Sequence, residues 1–179
     1  MKTERIYYTD GALIVRSMRA SDIPAFLEAF HAQDWHWMSE EKFRRYYNME
    51  ISGERRIIVA EYDGKVAGYT TLMKEAEHGP FAYNGIPYVC DFNVLKAFQR
   101  RGVGSRIMDC AEAAAFETHD SICLGVGLYR DYGTAQRMYA KRGYIPDGSG
   151  VWFNNVNLEP GAPCVNDDDL ILYMMKKKP

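Results

Sequence analysis

The run Gln99-Arg100-Arg101-Gly102-Val103-Gly104-Ser105 has the residue types to bind an anion directly. It follows a strand-like segment ending at Val94 and leads into a helical pattern, so successive backbone N–H groups would be aimed by a helix N-terminus. Such donors suit phosphate oxygens. Gly102 and Gly104 let the backbone approach a ligand closely, while Arg100 and Arg101 add charge and donors. A pyrophosphate fits better than a single phosphate. Other phosphate patterns compare poorly: G-x-x-x-x-G-K-[ST] is absent, and G-V-G-S-R-I has isoleucine where a dinucleotide fingerprint needs its third small residue. A second G-x-G, at Gly125 and Gly127, falls inside a strand, where close packing of a helix over small residues accounts for it.

His31, Asp34 and His36 are metal ligands by type, but they share one loop with no third strong ligand, and no metal is expected. Asp167 to Asp169 lacks the D-x-D-x-D-G spacing of a calcium loop and reads as a solvated turn. Lys176 to Lys178 reads as a solubilising tail. The four cysteines, Cys90, Cys110, Cys123 and Cys164, are far apart with no C-x-x-C pair, and the opening MKTERIYYTDG has no apolar signal-peptide stretch. Reduced cysteines in the cytoplasm are expected.

Several elements must position these residues. Leu13 to Met18 reads as a strand, followed by a Ser21-Asp22 cap, Pro24 in a first helical turn, and Ile23, Phe26, Leu27 and Phe30 at helical spacing. HAQDWHWM (31–38) interrupts this pattern, and Ser39 with Glu40 and Glu41 opens a second helix carrying Phe43, Tyr46 and Tyr47. Arg56 to Tyr62 and Lys65 to Met73 flank Asp63-Gly64, the dipeptide of a two-residue hairpin. After a turn-rich stretch, Tyr88 to Val94 alternates Cys90, Phe92 and Val94 on one face.

Beyond Gly104 a helix places Ile107, Cys110, Ala111 and Ala114 together, and Ile122 to Leu128 returns as a buried strand. Strand, helix, strand implies a right-handed crossover and a parallel pair. A last helix covers Thr134 to Arg142 and stops at Gly143, and strands at Val151 to Asn154 and Leu170 to Lys176 complete a mixed sheet. The chain has 179 residues, 47% of them hydrophobic and 26% charged, which suits one soluble domain over residues 1–179 and excludes disorder. A formal charge of -2 gives no global field for nucleic acid or an anionic membrane, and neither is expected as a partner.

With these elements around it, Gln99 to Gly104 resembles the Q/R-x-x-G-x-G/A acyl-CoA-binding motif of the GNAT superfamily of N-acyltransferases. LIVRSMRASDIPAF is similar to the family's opening strand and helix, VAEYDGKVAGYTTL to its hairpin, and AQRMYAKRGY to its late helix, so the resemblance covers nearly the whole chain. It implies a mixed α/β fold, a central mixed sheet flanked by helices, with acetyl-CoA as acyl donor. It also implies that the strand through Val94 splays from its parallel neighbour, so that Phe92, Asn93 and Val94 pair with the pantetheine arm. The pyrophosphate would rest on N–H groups of Arg101, Gly102, Val103, Gly104 and Ser105 beside Arg100. Amine attack would be direct, without an acyl-enzyme.

By the same resemblance Tyr139 matches the tyrosine that protonates the departing thiolate; packing with Ala135 and Met138 is the competing reading. Tyr132 stands where many members carry an asparagine that contacts the pantetheine arm. Asp91, on the strand beside the implied slot, is the general-base candidate, with capping or pairing inside the sheet as its alternative and Glu61 as a rival. Many members place a glutamate where this chain has Tyr88. The loop from His31 to Met38, with Trp35 and Trp37, and the segment from Trp152 to Cys164 are expected to wall the acceptor site. The implied activity is acetyl transfer to a primary amine of a small molecule or peptide, with a homodimer as the oligomeric option. A catalytically silent acyl-CoA-binding regulatory module is the alternative.

Overall fold

In the first of two compact units, residues up to Met73 with Asp91–Ala114, β-branched and aromatic runs build a sheet against two helices. The computed structural model describes residues 4–179. The unit contains β1 (Ile6–Asp10), β2 (Leu13–Ser17), α1 (Asp22–His31), α2 (Glu40–Ser52), β3 (Arg55–Tyr62), β4 (Lys65–Met73), the end of β5 (Tyr88–Val94) and most of α3 (Val103–Phe116), with strand order β1-β2-β3-β4-β5. Asp63 (φ 48°) and Gly64 (φ 74°) close the β3-β4 hairpin with the two positive φ angles that match strand twist. Ser39 caps α2, its hydroxyl accepting from the Lys42 N–H at 3.1 Å. Ser21 makes no side-chain cap bond to α1; the Asp22 carboxylate instead reaches back to the turn before the helix, accepting the Arg19 N–H at 2.7 Å. Phe26, Phe43 and Tyr69, all fully buried, meet at ring separations of 5.3–5.6 Å and centre the core of this unit.

The second unit, Lys74–Cys90 with Ala115–Pro179, orders its strands β5-β6-β9-β7-β8. Here β6 (Ser121–Gly127) pairs parallel with β5 through Tyr88↔Cys123 and Val89↔Leu124, as the crossover requires, and antiparallel with β9 (Leu170–Lys177). Helix α4 (Gly133–Lys141) ends at Gly143 (φ 88°), with the Tyr144 N–H bonded to the Tyr139 carbonyl and the Gly143 N–H to that of Ala140. Those two bonds form a Schellman stop. Phe81, Cys123 and Tyr173 form the buried centre.

Three elements depart from expectation. β1 escapes the pattern because no residue in it is buried, and so no apolar alternation marks it. β7 (Ile145–Phe153) starts before Val151 because Gly148 and Gly150, both at positive φ, shift its register, and β8 (Val156–Asn157) is two residues long. The small residues of β6 make room for side chains rather than for a helix packed over them. A Cβ at Gly127 would lie 2.5 Å from the Tyr132 ring, and one at Gly125 would lie 2.9 Å from Ile171 Cγ2 and 3.1 Å from the Tyr88 hydroxyl. Gly127→Ala is therefore expected to cost about 1–3 kcal/mol by urea unfolding, and less than that in a Tyr132→Ala background. Equal costs in both backgrounds would remove the ring from the explanation.

Candidate active site

The backbone of β5 turns left-handed at Asp91 (φ 50°), an uncommon state for a residue with a side chain and one that concentrates at functional sites. It interrupts the alternation expected over Tyr88 to Val94. Beyond it, Phe92 and Val94 do share a side, since both reach the start of α3. The Asp91 carboxylate is held from α2: the Tyr46 hydroxyl donates to one oxygen, and Lys42 Nζ stands 3.5 Å from the other. Lys42 and Tyr46 are one helical turn apart and so face the same way, with the Ser39 cap fixing where that face begins. Lys42 Nζ also lies 5.5 Å from the Trp37 ring centroid and 5.6 Å from that of Tyr46. Asn93 Nδ2 donates to the Tyr69 hydroxyl at 3.4 Å. Gly68 of β4 is required here, because a Cβ would come within 2.6 Å of the Asn93 carbonyl oxygen.

The Gly-Arg run lies where expected. Gln99 Nε2 donates to the Val94 carbonyl at 3.1 Å, tying the run to the end of β5, and the Arg106 N–H bonds to the Gly102 carbonyl at 3.0 Å as α3 begins. Arg100 (φ 59°) and Gly102 (φ 80°) are both left-handed, and a Cβ on Gly102 would meet nothing within 4 Å. The backbone at Gly102 therefore faces open space. No acidic residue stands in the first turn of α3, and the N–H groups from Val103 to Ser105 lie at the positive end of its dipole. This donor set suits a diphosphate. Gly104 serves a different need: a Cβ would press on Phe92 Cζ at 3.1 Å and Val94 Cγ2 at 3.3 Å, so the glycine lets the helix seat on β5. Arg101 lies over the Tyr62 ring at 5.6 Å.

In the second unit Tyr139 is buried, its ring 5.7 Å from and edge-on to Tyr144, and burial pushes its phenol above the ordinary value of 10.0. Tyr132 and Tyr129 both donate to Asp168 Oδ1, at 2.9 and 2.7 Å. Burial first, then that hydrogen bond, raises the Tyr132 phenol; for Tyr129 the hydrogen bond comes first and takes the phenol to about 12. Asp168 is thus a shared acceptor and not simply part of a solvated turn.

Glu61 is paired with Arg16 at 2.8 Å and with Arg19 at 3.2 Å. Of the loop tryptophans, Trp35 stacks on Phe30 at 5.5 Å, whereas Trp37 remains 56% exposed. Trp152 donates to the Ser149 hydroxyl at 2.7 Å and packs on Tyr173. Sequence reading missed the attachment of Lys42 and Tyr46 to Asp91, and the pairing of Tyr129 with Asp168. The i,i+4 spacing of Lys42 and Tyr46 behind a capped helix start was the available signal for the first.

A family model described as an acetyltransferase (GNAT) domain matches residues 19–160, which includes β5, the Gly-Arg run and Tyr139. The chain belongs to the GNAT acetyltransferase family. No curated protein matches the sequence. Among solved structures, this GNAT chain is similar to an acetyltransferase from Salmonella typhimurium that modifies the N-terminal serine of ribosomal protein L7/L12. The identity is 13%, the TM-score 0.69, and the coverage 98% of this chain and 100% of that one. A spermidine N-acetyltransferase chimera from Vibrio cholerae and hSSAT gives 15%, 0.66, and coverages of 93% and 95%. A putative acetyltransferase from Salmonella typhimurium with its cofactor acetyl-CoA gives 17%, 0.61, and coverages of 93% and 94%. The mixed sheet flanked by helices is accordingly the GNAT fold. No helix among the described residues is long and apolar enough to cross a membrane.

Proposed function

We propose that this GNAT acetyltransferase moves an acetyl group from acetyl-CoA to a primary amine of a small molecule or peptide, the whole chain acting as one domain. The observation that carries this reading is the Arg100–Ser105 run, whose open, left-handed Gly102 and carboxylate-free helix start suit a diphosphate. Acetyl-CoA, when bound, supplies an activated thioester acyl group. Arg100 and the N–H groups of Arg101, Gly102, Val103, Gly104 and Ser105 hold the diphosphate, and Phe92, Asn93 and Val94 offer backbone groups to the pantetheine arm as a strand would. Asp91 takes a proton from the acceptor's ammonium, directly or through water, and the Tyr139 hydroxyl gives one to the departing sulfur. Cys90, Cys110, Cys123 and Cys164 as thiols suit a reducing cytoplasm.

The test is a screen of amines, polyamines, aminoglycosides and peptides for release of CoA thiol. Tight acetyl-CoA binding with no thiol release for any amine would mark a silent binding module instead. Gly104→Val should weaken acetyl-CoA binding more than tenfold by calorimetry, because its side chain pushes on Phe92 and Val94 and so moves the start of α3 and the strand together. Unchanged affinity would take the loop out of the site.

A further inference from the structure

We propose that Asp91, Tyr46 and Trp37 form a seat for a primary alkylammonium group, and that Lys42 fills this seat in the resting protein and must leave it before another amine can enter. The chemistry of the occupant points to this. Lys42 Nζ, a primary ammonium on a four-carbon stem, stands over the Trp37 ring at 5.5 Å and the Tyr46 ring at 5.6 Å, both within the roughly 6 Å at which a ring face attracts a cation. Its third neighbour is Asp91 Oδ1 at 3.5 Å. Two aromatic faces and a carboxylate around a cation are complementary to the end of an aliphatic amine.

The occupant is loosely held. A charge-assisted N–H···O bond is typically about 2.7–2.9 Å, and this contact is longer, between side chains 26% and 31% exposed, so water screens the pair. The seat itself does not depend on Lys42, because the Tyr46 hydroxyl fixes the second Asp91 oxygen and the left-handed backbone at residue 91 fixes where the carboxylate starts. Trp37 leaves a large apolar ring 56% exposed beside the ammonium. A neutral, isosteric group would lose both the ring attraction and the carboxylate, so the seat discriminates by charge. Asp91 directly precedes Phe92, Asn93 and Val94. As the place where the acceptor's amine end rests, the seat depends on the acetyltransferase reading above; as an ammonium site it stands without it.

The test titrates n-butylammonium chloride into the unaltered protein and into Lys42→Ala, following the Trp37 indole N–H by NMR, with Trp37→Phe to assign the signal and n-butanol as the neutral control. Lys42→Ala is expected to bind n-butylammonium at least tenfold more tightly than the unaltered protein, to ignore n-butanol, and to lose the gain when Asp91→Asn is added. Equal affinity with and without Lys42, or equal response to n-butanol, would reduce the cluster to a structural ion pair and overturn the proposal. Lys42→Ser repeats the measurement should Lys42→Ala fail to fold. Because the readout is binding without turnover, loss of the seat while acetyl-CoA still binds and is turned over would sink this inference alone. Absence of acetyl transfer with the seat intact would sink the reading it extends.

Discussion

Tyr139→Phe is expected to lower kcat by roughly ten- to a thousandfold while leaving the Kd for acetyl-CoA nearly unchanged, because it deletes one proton donor and keeps the ring. The packing half of that statement rests on the ring's buried, edge-on contact with Tyr144 and on the Schellman stop, which takes its hydrogen bond from the Tyr139 backbone and not from the phenol. Phenylalanine preserves both. The chemical half rests on the direction of the phenol's titration: burial raises it above 10.0, so the hydroxyl holds its proton across the neutral range, as the proposed donation to the departing sulfur requires. The pH profile of kcat should therefore show no alkaline fall from Tyr139 below about pH 10. Full activity in Tyr139→Phe would transfer the acid role to water or another side chain, and a changed Kd would show that the hydroxyl holds the pocket together.

What was legible in the sequence was local. Ser39 before two glutamates, Asp63-Gly64 between two β-rich runs, the Gly-Arg run ahead of α3 and Gly143 after α4 each specify a conformation within a few residues, and each is found. What was not legible depends on residues far apart in the chain. Nothing near Asp91 announces that Tyr46, 45 positions earlier, donates to it, or that its own backbone leaves the extended region. Gly125 and Gly127 could be read as small, but which side chains fill the space they leave is set by β5, β9 and the turn before α4. The same distance problem hid the role of Asp168 behind two neighbouring aspartates. The candidate site was therefore legible where backbone conformation makes it, at the loop, and illegible where side chains from separate elements converge.

Asp22→Ala is expected to destabilise the protein by about 3–5 kcal/mol, the range for removing one partner of a buried ion pair. Arg16 is only 2% exposed, and its guanidinium meets Asp22 through two bonds of 2.8 Å, a bidentate fork with the Asp22 side chain 4% exposed. The same carboxylate accepts the Arg19 N–H, so its removal also leaves that donor, in the turn leading into α1, without this acceptor. Glu61 would remain on Arg16 at 2.8 Å, but its side chain is 18% exposed and shared with Arg19, so it compensates only in part. For a chain of 179 residues the loss corresponds to a fall in Tm of roughly 6–20 °C, read by calorimetry. Replacing both partners, in Arg16→Met with Asp22→Leu, should recover much of it, because no uncompensated charge is then left between β2 and α1. Glu61 keeps Arg19 in that variant. A fall of less than about 1 kcal/mol for Asp22→Ala would mean that water reaches the Arg16 guanidinium, and a double variant no better than the single one would place the stability in the pair's geometry and not in the avoidance of a buried charge.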